Sequence, residues 1–481
     1  MSSDLNSFAY LSPAFPELLL AIGAAVLLMA GAFMKSLTAP RLVGVAIGML
    51  LAVAVLVIIN PVNGVLFNGS FIQDDFARYM KALVLTGSAF VLVLSVSSAA
   101  DQGLAKFEYA VLIILATLGM MIMVSANDLM MLYIGLELQA LSLYILAAMK
   151  RESARATEAG LKYFVLGALS SGMLLYGASL LYGFTGQTQL DKIAEIIMLD
   201  NRSIGVTFGL VFLLAGVAFK ISAVPFHMWT PDVYEGAPTP VTAFFATAPK
   251  IAAMALLIRL VMESFGPLAR DWQQIVIFLS IASMLLAAFA GIGQKNIKRL
   301  IAYSSIGHVG FALVGLSAGS LVGIEGVAIY MAVYLVMTLG LFACILSLKS
   351  SAGYVENISD LAGLSRTRPF VAATMAILLF SLIGLPPMAG FFAKWQVFLA
   401  AIEAQLYVLA VIGVLASAVS AFYYLRIVRI MYFDEPVHEF APIAGELNFV
   451  MGLTGFLVLS YYLTVGRPLV DAARIAAASF F

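Results

Sequence analysis

The feature that most constrains this sequence is a series of long apolar runs that repeat along nearly its whole length. The chain has 481 residues, of which 63% are hydrophobic and only 11% are charged. Apolar runs of about 18 or more residues are long enough to cross a bilayer as helices. The sequence therefore predicts an all-α polytopic membrane protein with about fourteen transmembrane helices and no soluble domain.

Grouping the runs gives an approximate order of spans and of larger parts. The predicted spans are 13–34, 41–59, 76–98, 107–125, 129–149, 155–184, 205–235, 239–262, 273–293, 297–317, 321–348, 369–403, 406–431 and 446–465. They divide the chain into an N-terminal three-helix segment at 1–106, two five-helix repeats at 107–262 and 273–431, and a C-terminal helix at 446–481. The longest polar connections are expected at 185–204 and 349–368.

The charges in the connections predict how the chain is oriented. Basic residues follow the odd-numbered spans, namely Lys35, Arg41, Lys106, Lys150, Arg151, Arg155, Lys295, Lys298, Arg299, Lys349, Arg366, Arg368 and Arg429. The even-numbered connections hold Lys192, Arg202 and Arg270 beside Asp191, Glu195, Asp200 and Asp271. Because loops rich in Lys and Arg stay on the cytoplasmic side, we expect both termini on the periplasmic side.

Composition and motifs argue against several other classes of protein. A net charge of zero gives no electrostatic basis for binding nucleic acid. Cys344 is the only cysteine, so we expect a buried helical thiol and no intrachain disulfide, iron–sulfur cluster or zinc site. No glycine-rich phosphate-binding motif is present, which argues against a nucleotide site. No Lys or Arg precedes Lys35, so the first apolar run is expected to be retained as a helix.

Residues 206–235 interrupt the series, because they place a lysine and a proline inside an apolar run. Lys220 has apolar residues on both sides, and a lysine at the centre of a spanning helix costs roughly 2.5–3.5 kcal/mol. Pro225 has no N–H and frees the carbonyl of Ile221. Freed backbone groups are tolerated at this depth only inside protein or beside water. We therefore expect a discontinuous helix; the alternative is a kinked helix whose lysine reaches the interface.

A second interrupted helix is expected at 369–403. Its centre reads GLPPMAG from Gly384 to Gly390, and adjacent prolines flanked by glycines break a helix. Lys394 follows this break by about two turns. The interrupted spans are the seventh and the twelfth, so they cross the membrane in opposite directions. Paired interrupted helices of opposite direction are typical of inverted-repeat transporters.

Charged residues in the middle of other spans are candidate functional groups. Glu137 lies in the fifth span with apolar residues on both sides. We expect it to pair with Lys220; the alternative is a protonated carboxyl group bonded to a neighbouring Ser or Gln. Pro249 directly precedes Lys250 in the eighth span. A proline and a lysine together at mid-span are improbable as simple packing, which favours a functional role.

Further polar residues in or near the spans are additional candidates. Glu158 and Lys162 are spaced i, i+4 and share one helix face, either as a transport pair or as an ion pair at the membrane interface. His308 has two serines and a tyrosine in the preceding turn. These neighbours favour a hydrated path, and a buried histidine with satisfied hydrogen bonds is the alternative. His227 and Asp232 follow the first break and complete the set.

This set of side chains favours proton movement. Burial disfavours the charged form of a lysine and a nearby carboxylate favours it. A lysine whose carboxylate partner moves away can therefore release a proton near neutral pH, and water or histidine can relay it. The sequence has no cluster of carboxylates and carbonyls that suggests a dedicated sodium or calcium site.

The residues around the two breaks resemble a known family. The resemblance rests on the run VPFHMWTPDVYEGAPTPV after Lys220, the Pro249–Lys250 pair, Glu137 and the Pro-Pro break before Lys394, and it covers essentially the whole chain. These features resemble the antiporter-like membrane subunits of respiratory complex I. Three paralogous subunits share the pattern. This chain ends soon after the last span, whereas one paralogue continues into a long lateral helix. It also has a lysine where a second paralogue carries glutamate. Both features favour the third paralogue.

The resemblance implies a role for each matching position. Glu137 is expected to be the ion-pair partner of Lys220, which would act as the switch. Lys250 would be the central relay and Lys394 the terminal member of a hydrophilic axis. The expected auxiliary members are His227, His308, Glu158, Lys162 and Asp232.

The resemblance also implies partners. It predicts a non-redox, proton-translocating subunit of NADH:quinone oxidoreductase in the bacterial inner membrane, assembled with other membrane-arm and peripheral-arm subunits. This chain would bind no cofactor, and NADH, FMN, iron–sulfur clusters and quinone would bind partner subunits. The alternative is a subunit of a secondary cation/proton antiporter of the same ancestry. A non-transporting scaffold would not account for three mid-span lysines and two broken helices.

Overall fold

The computed structural model describes residues 10–34, 38–199, 203–351 and 353–481. Three of the charges used to predict orientation, Lys35, Asp200 and Arg202, lie outside the described residues. The described chain is almost entirely helical, with two short antiparallel hairpins: β1 (Gly64–Leu66) with β2 (Phe71–Gln73), and β3 (Lys349–Ser350) with β4 (Gly353–Tyr354).

The helices follow the predicted order of spans closely. In the first half they are α1 (Phe15–Phe33), α2 (Ala39–Ile59), α3 (Asp75–Ser95), α4 (Phe107–Val124), α5 (Leu129–Ala147), α6 (Ala154–Thr185), α7 (Leu190–Leu199), α8 (Ile204–Ile221), α9 (Trp229–Gly236), α10 (Thr239–Ala246) and α11 (Ala248–Arg259). In the second half they are α12 (Ala269–Ile292), α13 (Ile297–Ser317), α14 (Leu321–Leu346), α15 (Leu364–Thr367), α16 (Pro369–Ile383), α17 (Ala389–Glu403), α18 (Tyr407–Phe433), α19 (Gly445–Leu459) and α20 (Gly466–Ala477).

The helices are those of a polytopic membrane protein. Within the described ranges, twelve helical segments are long and apolar enough to cross a membrane, and the shorter apolar helices α16 and α19 bring the number of positions to fourteen. The predicted all-α membrane fold is confirmed. Both predicted interruptions are present, between α8 and α9 and between α16 and α17.

The centre of the molecule is formed by helices that are apolar around their whole circumference, as expected for fully buried spans. In the segment Thr239–Ser264, which includes α10 and α11, every residue of an 18-residue apolar stretch is buried. In the corresponding 18-residue stretches of α13 and α14, 94% of the residues are buried. In contrast, only a third of the residues in the corresponding stretch of Ser12–Phe33 are buried. The central helices carry Lys250 and His308. Cys344 on α14 is buried, as predicted.

Helix α5, which carries Glu137, is held against α4 by glycines. A Cβ added at Gly119 would lie 2.5 Å from the backbone nitrogen of Gln139, and one at Gly135 would lie 2.8 Å from that of Met123. Only glycine permits the backbones to approach this closely, as is common between membrane helices. The position of Glu137 is therefore set by direct backbone packing.

The structure differs from the sequence-based expectation in several segments. The predicted polar connection at 185–204 contains the short helix α7, and the eighth span is interrupted at Thr247 between α10 and α11. The segment 446–481 forms two helices, α19 and α20, where one was expected. The reason lies in α20, whose charged residues Arg467, Asp471 and Arg474 recur at helical spacing. They leave one apolar face, which packs against α3 and α14.

Candidate functional site

The first break leaves a helix-terminal carbonyl that a lysine caps. Helix α8 ends at Ile221, and Ser222 adopts a left-handed conformation with φ of 64°. Trp229 spans the break, because its indole Nε1 donates to the carbonyl of Phe219 at 3.0 Å. The Ile221 carbonyl, which the proline was predicted to free, accepts from Nζ of Lys250 at 3.3 Å. An amine from the next span thus replaces the missing helical donor.

Lys220 is buried in the last turn of α8, and its amine faces a tyrosine. Nζ lies 3.5 Å from Oη of Tyr144 and 5.8 Å from the centre of its ring. Glu137 interacts electrostatically with both groups. Its Oε1 is nevertheless buried without a hydrogen-bond partner in the described part of the chain. The predicted direct ion pair of Glu137 with Lys220 is not formed, because Tyr144, two turns along the same face of α5, places its hydroxyl beside the amine.

The second break is capped by a lysine on the helix that follows the break. Helix α16 ends at Ile383. Nζ of Lys394 on α17 donates to the carbonyls of Leu382 at 3.1 Å and Ile383 at 2.8 Å, and to Oγ of Ser417 at 2.7 Å. It also lies 4.4 Å from the centre of the Phe311 ring, within the range of a cation–π interaction. All three N–H groups of the ammonium have an acceptor.

The two capping amines share an electrostatic environment. Lys250 and Lys394 each donate to the last carbonyls of an interrupted helix, where the helix dipole carries partial negative charge and favours a cation. Their hydrogen-bond acceptors are carbonyl and hydroxyl oxygens, with no carboxylate among those described. Lys250 is 2% exposed and Lys394 is 6% exposed. A buried ammonium held by dipoles alone lacks the Coulombic stabilisation of an ion pair.

His308 connects three helices through hydrogen bonds. Its Nδ1 lies 2.7 Å from Oη of Tyr330 on α14, and its Nε2 lies 3.3 Å from Oη of Tyr424 on α18. Tyr424 Oη in turn lies 2.5 Å from Oγ of Ser304. The imidazole is buried, and both of its nitrogens have partners that can donate or accept a proton. This geometry suits a relay, and the donor and acceptor roles depend on the tautomer.

The helices that carry these groups are packed in succession. Helix α8 contacts α11, α9 contacts α13, and α13 contacts α17. Between Lys250 and His308 lie further buried hydroxyl groups. Nζ of Lys250 is 5.8 Å from the centre of the Tyr234 ring, and Tyr334 donates to Oγ of Ser305 at 2.9 Å. Lys220, Lys250, His308 and Lys394 are all buried on these helices, and we refer to them together as the buried polar layer.

Three of the predicted auxiliary residues lie apart from this layer, in a partly exposed charged cluster. Nζ of Lys162 is 2.7 Å from Oε1 of Glu158 and 2.8 Å from Oδ2 of Asp232. Arg299 is 2.6 Å from Oδ1 of Asp232 and 3.0 Å from Oε2 of Glu235. The side chains of Lys162 and Glu158 are 42% and 63% exposed. This exposure favours the interface ion pair over a place in the buried layer.

A polar cavity of about 550 Å³ opens beside this cluster. Glu235 lines both the cavity and a smaller pocket that contains Lys162 and Asp232. At the wall of the cavity, the buried Lys298 donates from Nζ to the carbonyl of Ala237 at 3.0 Å. The remaining auxiliary candidate, His227, lies in the first break, half-buried, and its Nδ1 has no partner among the described residues.

The sequence reasoning missed two buried ion-pair groups at helix ends. Nζ of Lys81 lies 2.5 Å from Oε1 of Glu17. Arg259 places Nη2 at 3.0 and 2.9 Å from the two carboxylate oxygens of Asp74, and Nη1 at 2.5 Å from Oε1 of Glu263. Charged residues near the ends of predicted spans are ordinary, so their sequence positions carry no signal. The role of Tyr144 was also missed, although its seven-residue spacing from Glu137 places both on one helix face.

The fold and the site define a class: polytopic helical membrane proteins in which buried lysines lie at two interrupted helices. Residues 126–420 match the family described as "NADH:quinone oxidoreductase/Mrp antiporter, TM". The chain belongs to this family.

Within the family, the similarity extends over whole chains to particular relatives. The chain is 59% identical over 474 residues to "NADH-quinone oxidoreductase subunit N 1" of Rhizobium meliloti (strain 1021), covering 98% of each chain. It is 58% identical over 478 residues to "NADH-quinone oxidoreductase subunit N" of Parvibaculum lavamentivorans, covering 99% of each.

Solved structures share the fold. A chain of "Respiratory complex I from Thermus thermophilus with bound Aureothin" superposes with a TM-score of 0.81 at 30% identity, covering 95% of this chain and 98% of that one. A chain of the Mrp complex from Dietzia sp. DQ12-45-1b gives a TM-score of 0.85 at 22% identity, covering 97% of each. The second likeness concerns the fold alone.

Proposed function

We propose that this chain is the proton-translocating membrane subunit of a bacterial NADH:quinone oxidoreductase that corresponds to the relatives named subunit N. The identity of 52–59% to those relatives, over 97–99% of the chain, supports this assignment. One observation carries the proton-transfer part: the last carbonyls of both interrupted helices are bonded to buried lysine amines. The chain itself performs no redox chemistry.

The mechanism follows from the hydrogen bonds of Lys394. An ammonium donates three hydrogen bonds, and this one uses all three, to Leu382, Ile383 and Ser417. Loss of the proton removes one donor, so one acceptor loses its partner. Conversely, a movement at the end of α16 that withdraws the carbonyls destabilises the charged amine, which then gives its proton to water or to a neighbouring base. Proton release and the geometry of the break are therefore coupled.

The other positions take the roles that the family resemblance implies. Lys220 acts as the switch, with Glu137 stabilising its charged form through space and Tyr144 in contact with the amine. Lys250 is the central relay, and His308 passes protons between the tyrosines that flank it towards Lys394. His227, Glu158, Lys162 and Asp232 are auxiliary, with the last three at the entrance to the layer.

The polar cavity indicates from which side of the membrane protons enter the protein. It is lined by Lys150, Arg155, Lys298 and Lys349, which belong to the basic connections expected on the cytoplasmic side. We assign it as the cytoplasmic entrance, next to the Asp232 cluster. With the cavity on the cytoplasmic side, we expect both termini on the periplasmic side of the inner membrane.

The energy for transport comes from partner subunits. NADH, FMN, iron–sulfur clusters and quinone are assigned to those subunits, and this chain contributes only the translocating groups. Its partners are the other membrane-arm and peripheral-arm subunits and the lipid bilayer, with no nucleic acid. Redox energy arrives here as a conformational or electrostatic change that shifts the breaks.

The test is purification of the tagged chain in mild detergent, followed by identification of copurifying proteins and assay of NADH:quinone activity. Flavin- and iron–sulfur-containing partners with activity are expected. Antiporter-like partners without NADH oxidation would replace this function with cation/proton exchange. In membrane vesicles, Lys250→Met and Lys394→Met should abolish coupled pumping. The matched control, Lys192→Met at an exposed lysine of α7, should leave pumping unchanged.

A further inference from the structure

An apolar groove runs between the outer face of the helix bundle and the amphipathic helix α20. Its deep part, of about 300 Å³, is lined by Ile58 of α2, Leu83 of α3, Val336 of α14 and Leu469 of α20. Its outer part, of about 330 Å³, continues past Ile58 and Leu83 to the beginning of α3. The two parts share Ala82 as well as these two residues, and they lie next to each other along a single face of α20.

The groove has the depth of one lipid leaflet. It follows α3 from Asp75 to Thr86, which corresponds to roughly 16 Å at the helical rise of 1.5 Å per residue. Half of a hydrocarbon core of about 30 Å is about 15 Å. It opens on α2 beside residues that face outward, since Ile58 is 64% exposed and Val55 is 54% exposed. The groove is thus continuous with the apolar surface of the bundle.

The lining of the groove suits a hydrocarbon chain joined to a charged headgroup. The deep part, of about 300 Å³, is lined mostly by apolar side chains, and the outer part ends at charged residues of α3. A phospholipid combines an apolar chain with a charged end in this order, whereas the apolar face of a partner helix does not.

The outer end of the groove is polar. It contains Asp75, Arg78 and Tyr79. One guanidinium nitrogen of Arg78 is paired with Asp75. Its Nη1 is buried and has no acceptor among the described residues. Guanidinium groups bind phosphate oxygens through charge-assisted hydrogen bonds, so this end has the chemistry of a headgroup site.

We propose that this groove binds one phospholipid, with its phosphate at Arg78 and one acyl chain extending along α3 to the middle of the bundle. The chain would end against Ala389, the first residue of α17, which lines the deep part. Lys394 lies five residues further along the same helix. The acyl chain would therefore fill the space behind the second interrupted helix and limit its sideways movement.

The experiment is electron cryo-microscopy of the whole complex in nanodiscs made of phosphatidylethanolamine and phosphatidylglycerol, without detergent. An elongated density from Arg78 to Ala389 is expected in the wild type. Ala82→Phe, which fills the groove, should abolish it. The matched control, Ala52→Phe on the exposed face of α2, should retain it. Arg78→Gln should weaken the density at the headgroup end.

The wild-type map is decisive even if Ala82→Phe fails to assemble. An empty groove, a groove closed by Ile58 packing on Leu83, or a protein segment from a neighbouring subunit in the groove would each overturn the proposal. A density that persists unchanged in an assembled Ala82→Phe complex would also overturn it. The readout is independent of proton pumping, so its failure is distinct from failure of the proposed function.

Discussion

Replacing Tyr144 with phenylalanine tests whether the site at the first break works through a hydroxyl group. The change removes Oη, which lies 3.5 Å from Nζ of Lys220. It keeps the ring, which packs edge-on against Tyr163 at 4.9 Å and Phe164 at 5.7 Å between ring centres. Packing is therefore preserved, and the loss is confined to the polar interactions of the hydroxyl group with Lys220 and Ser171.

The expected loss of pumping follows from the contact between the Tyr144 hydroxyl group and Lys220. A hydrogen bond contributes about 0.5–1.5 kcal/mol net, and a separation of 3.5 Å is at the long limit. We take about 1 kcal/mol, which corresponds to roughly a fivefold change in an equilibrium constant or a rate. Tyr144→Phe should therefore pump protons at about one fifth of the wild-type rate. Lys220→Met, which removes the protonatable group, should pump at background level.

The assay is NADH-driven acidification of inverted membrane vesicles, normalised to the amount of assembled complex. A second variant acts on the same hydroxyl from another helix. A Cβ at Gly167 would overlap with Oη of Tyr144, so Gly167→Ala should displace this hydroxyl group and reproduce the defect. Gly183→Ala, on the same helix in open space, is the control. Wild-type pumping by Tyr144→Phe would refute the reasoning, because the amine would then not depend on the hydroxyl.

Three further predictions concern stability. Lys81→Met leaves the buried Glu17 unpaired and should destabilise the complex by about 3–5 kcal/mol, whereas Lys81→Met with Glu17→Leu should restore most of the melting temperature; equal loss in both variants would contradict this. Gly390→Ala places a Cβ where it overlaps with the carbonyl oxygen of Ser381 and should prevent assembly, seen on native gels, while Gly172→Ala, in open space, should not. The hydrogen bond from Lys349 lowers the pKa of Asp101. A carboxyl group whose pKa is lowered by folding stabilises the folded protein at pH values above its ordinary pKa, near 4. Asp101→Asn should therefore lower the melting temperature by the same amount at every pH from 5 to 8. The decrease should be small, because the ion pair with Lys349 is exposed. A decrease that vanishes as the pH falls towards 5 would count against a contribution from this ion pair.

The interruptions could be predicted from sequence because their cause is local. A proline removes its own N–H and frees a carbonyl four residues earlier, wherever the helix lies. The positions of Pro225 and of the Pro-Pro pair therefore predicted both breaks to within a few residues. The partner of each freed carbonyl could not be predicted in the same way. The bond from Lys250 to Ile221 spans 29 residues and depends on how two helices pack.

The expected pairing of Glu137 with Lys220 is an electrostatic interaction without direct contact, for a related reason. Two opposite charges at mid-span are expected to attract each other, but their separation is set by helix packing. Backbone contact at Gly119 holds α5 in place, and Tyr144 occupies the space beside the amine. Charge patterning therefore predicted the neighbourhood of the groups, and tertiary packing decided which atoms meet.

Comparison of the buried cations suggests why lysine is used at the breaks. Arg259 is bonded to two carboxylates and the carbonyl of Val124, an arrangement suited to holding helices together permanently, since a guanidinium does not lose its proton in proteins. Among the described residues, the acceptors of Lys394 are carbonyl and hydroxyl oxygens, so the charge on its amine depends on the break. Lys394→Arg should therefore keep the cap and the assembled complex but stop proton transfer. Assembly on native gels and vesicle acidification measure the two effects separately. Sustained pumping in an assembled Lys394→Arg complex would show that the proton does not pass through this amine.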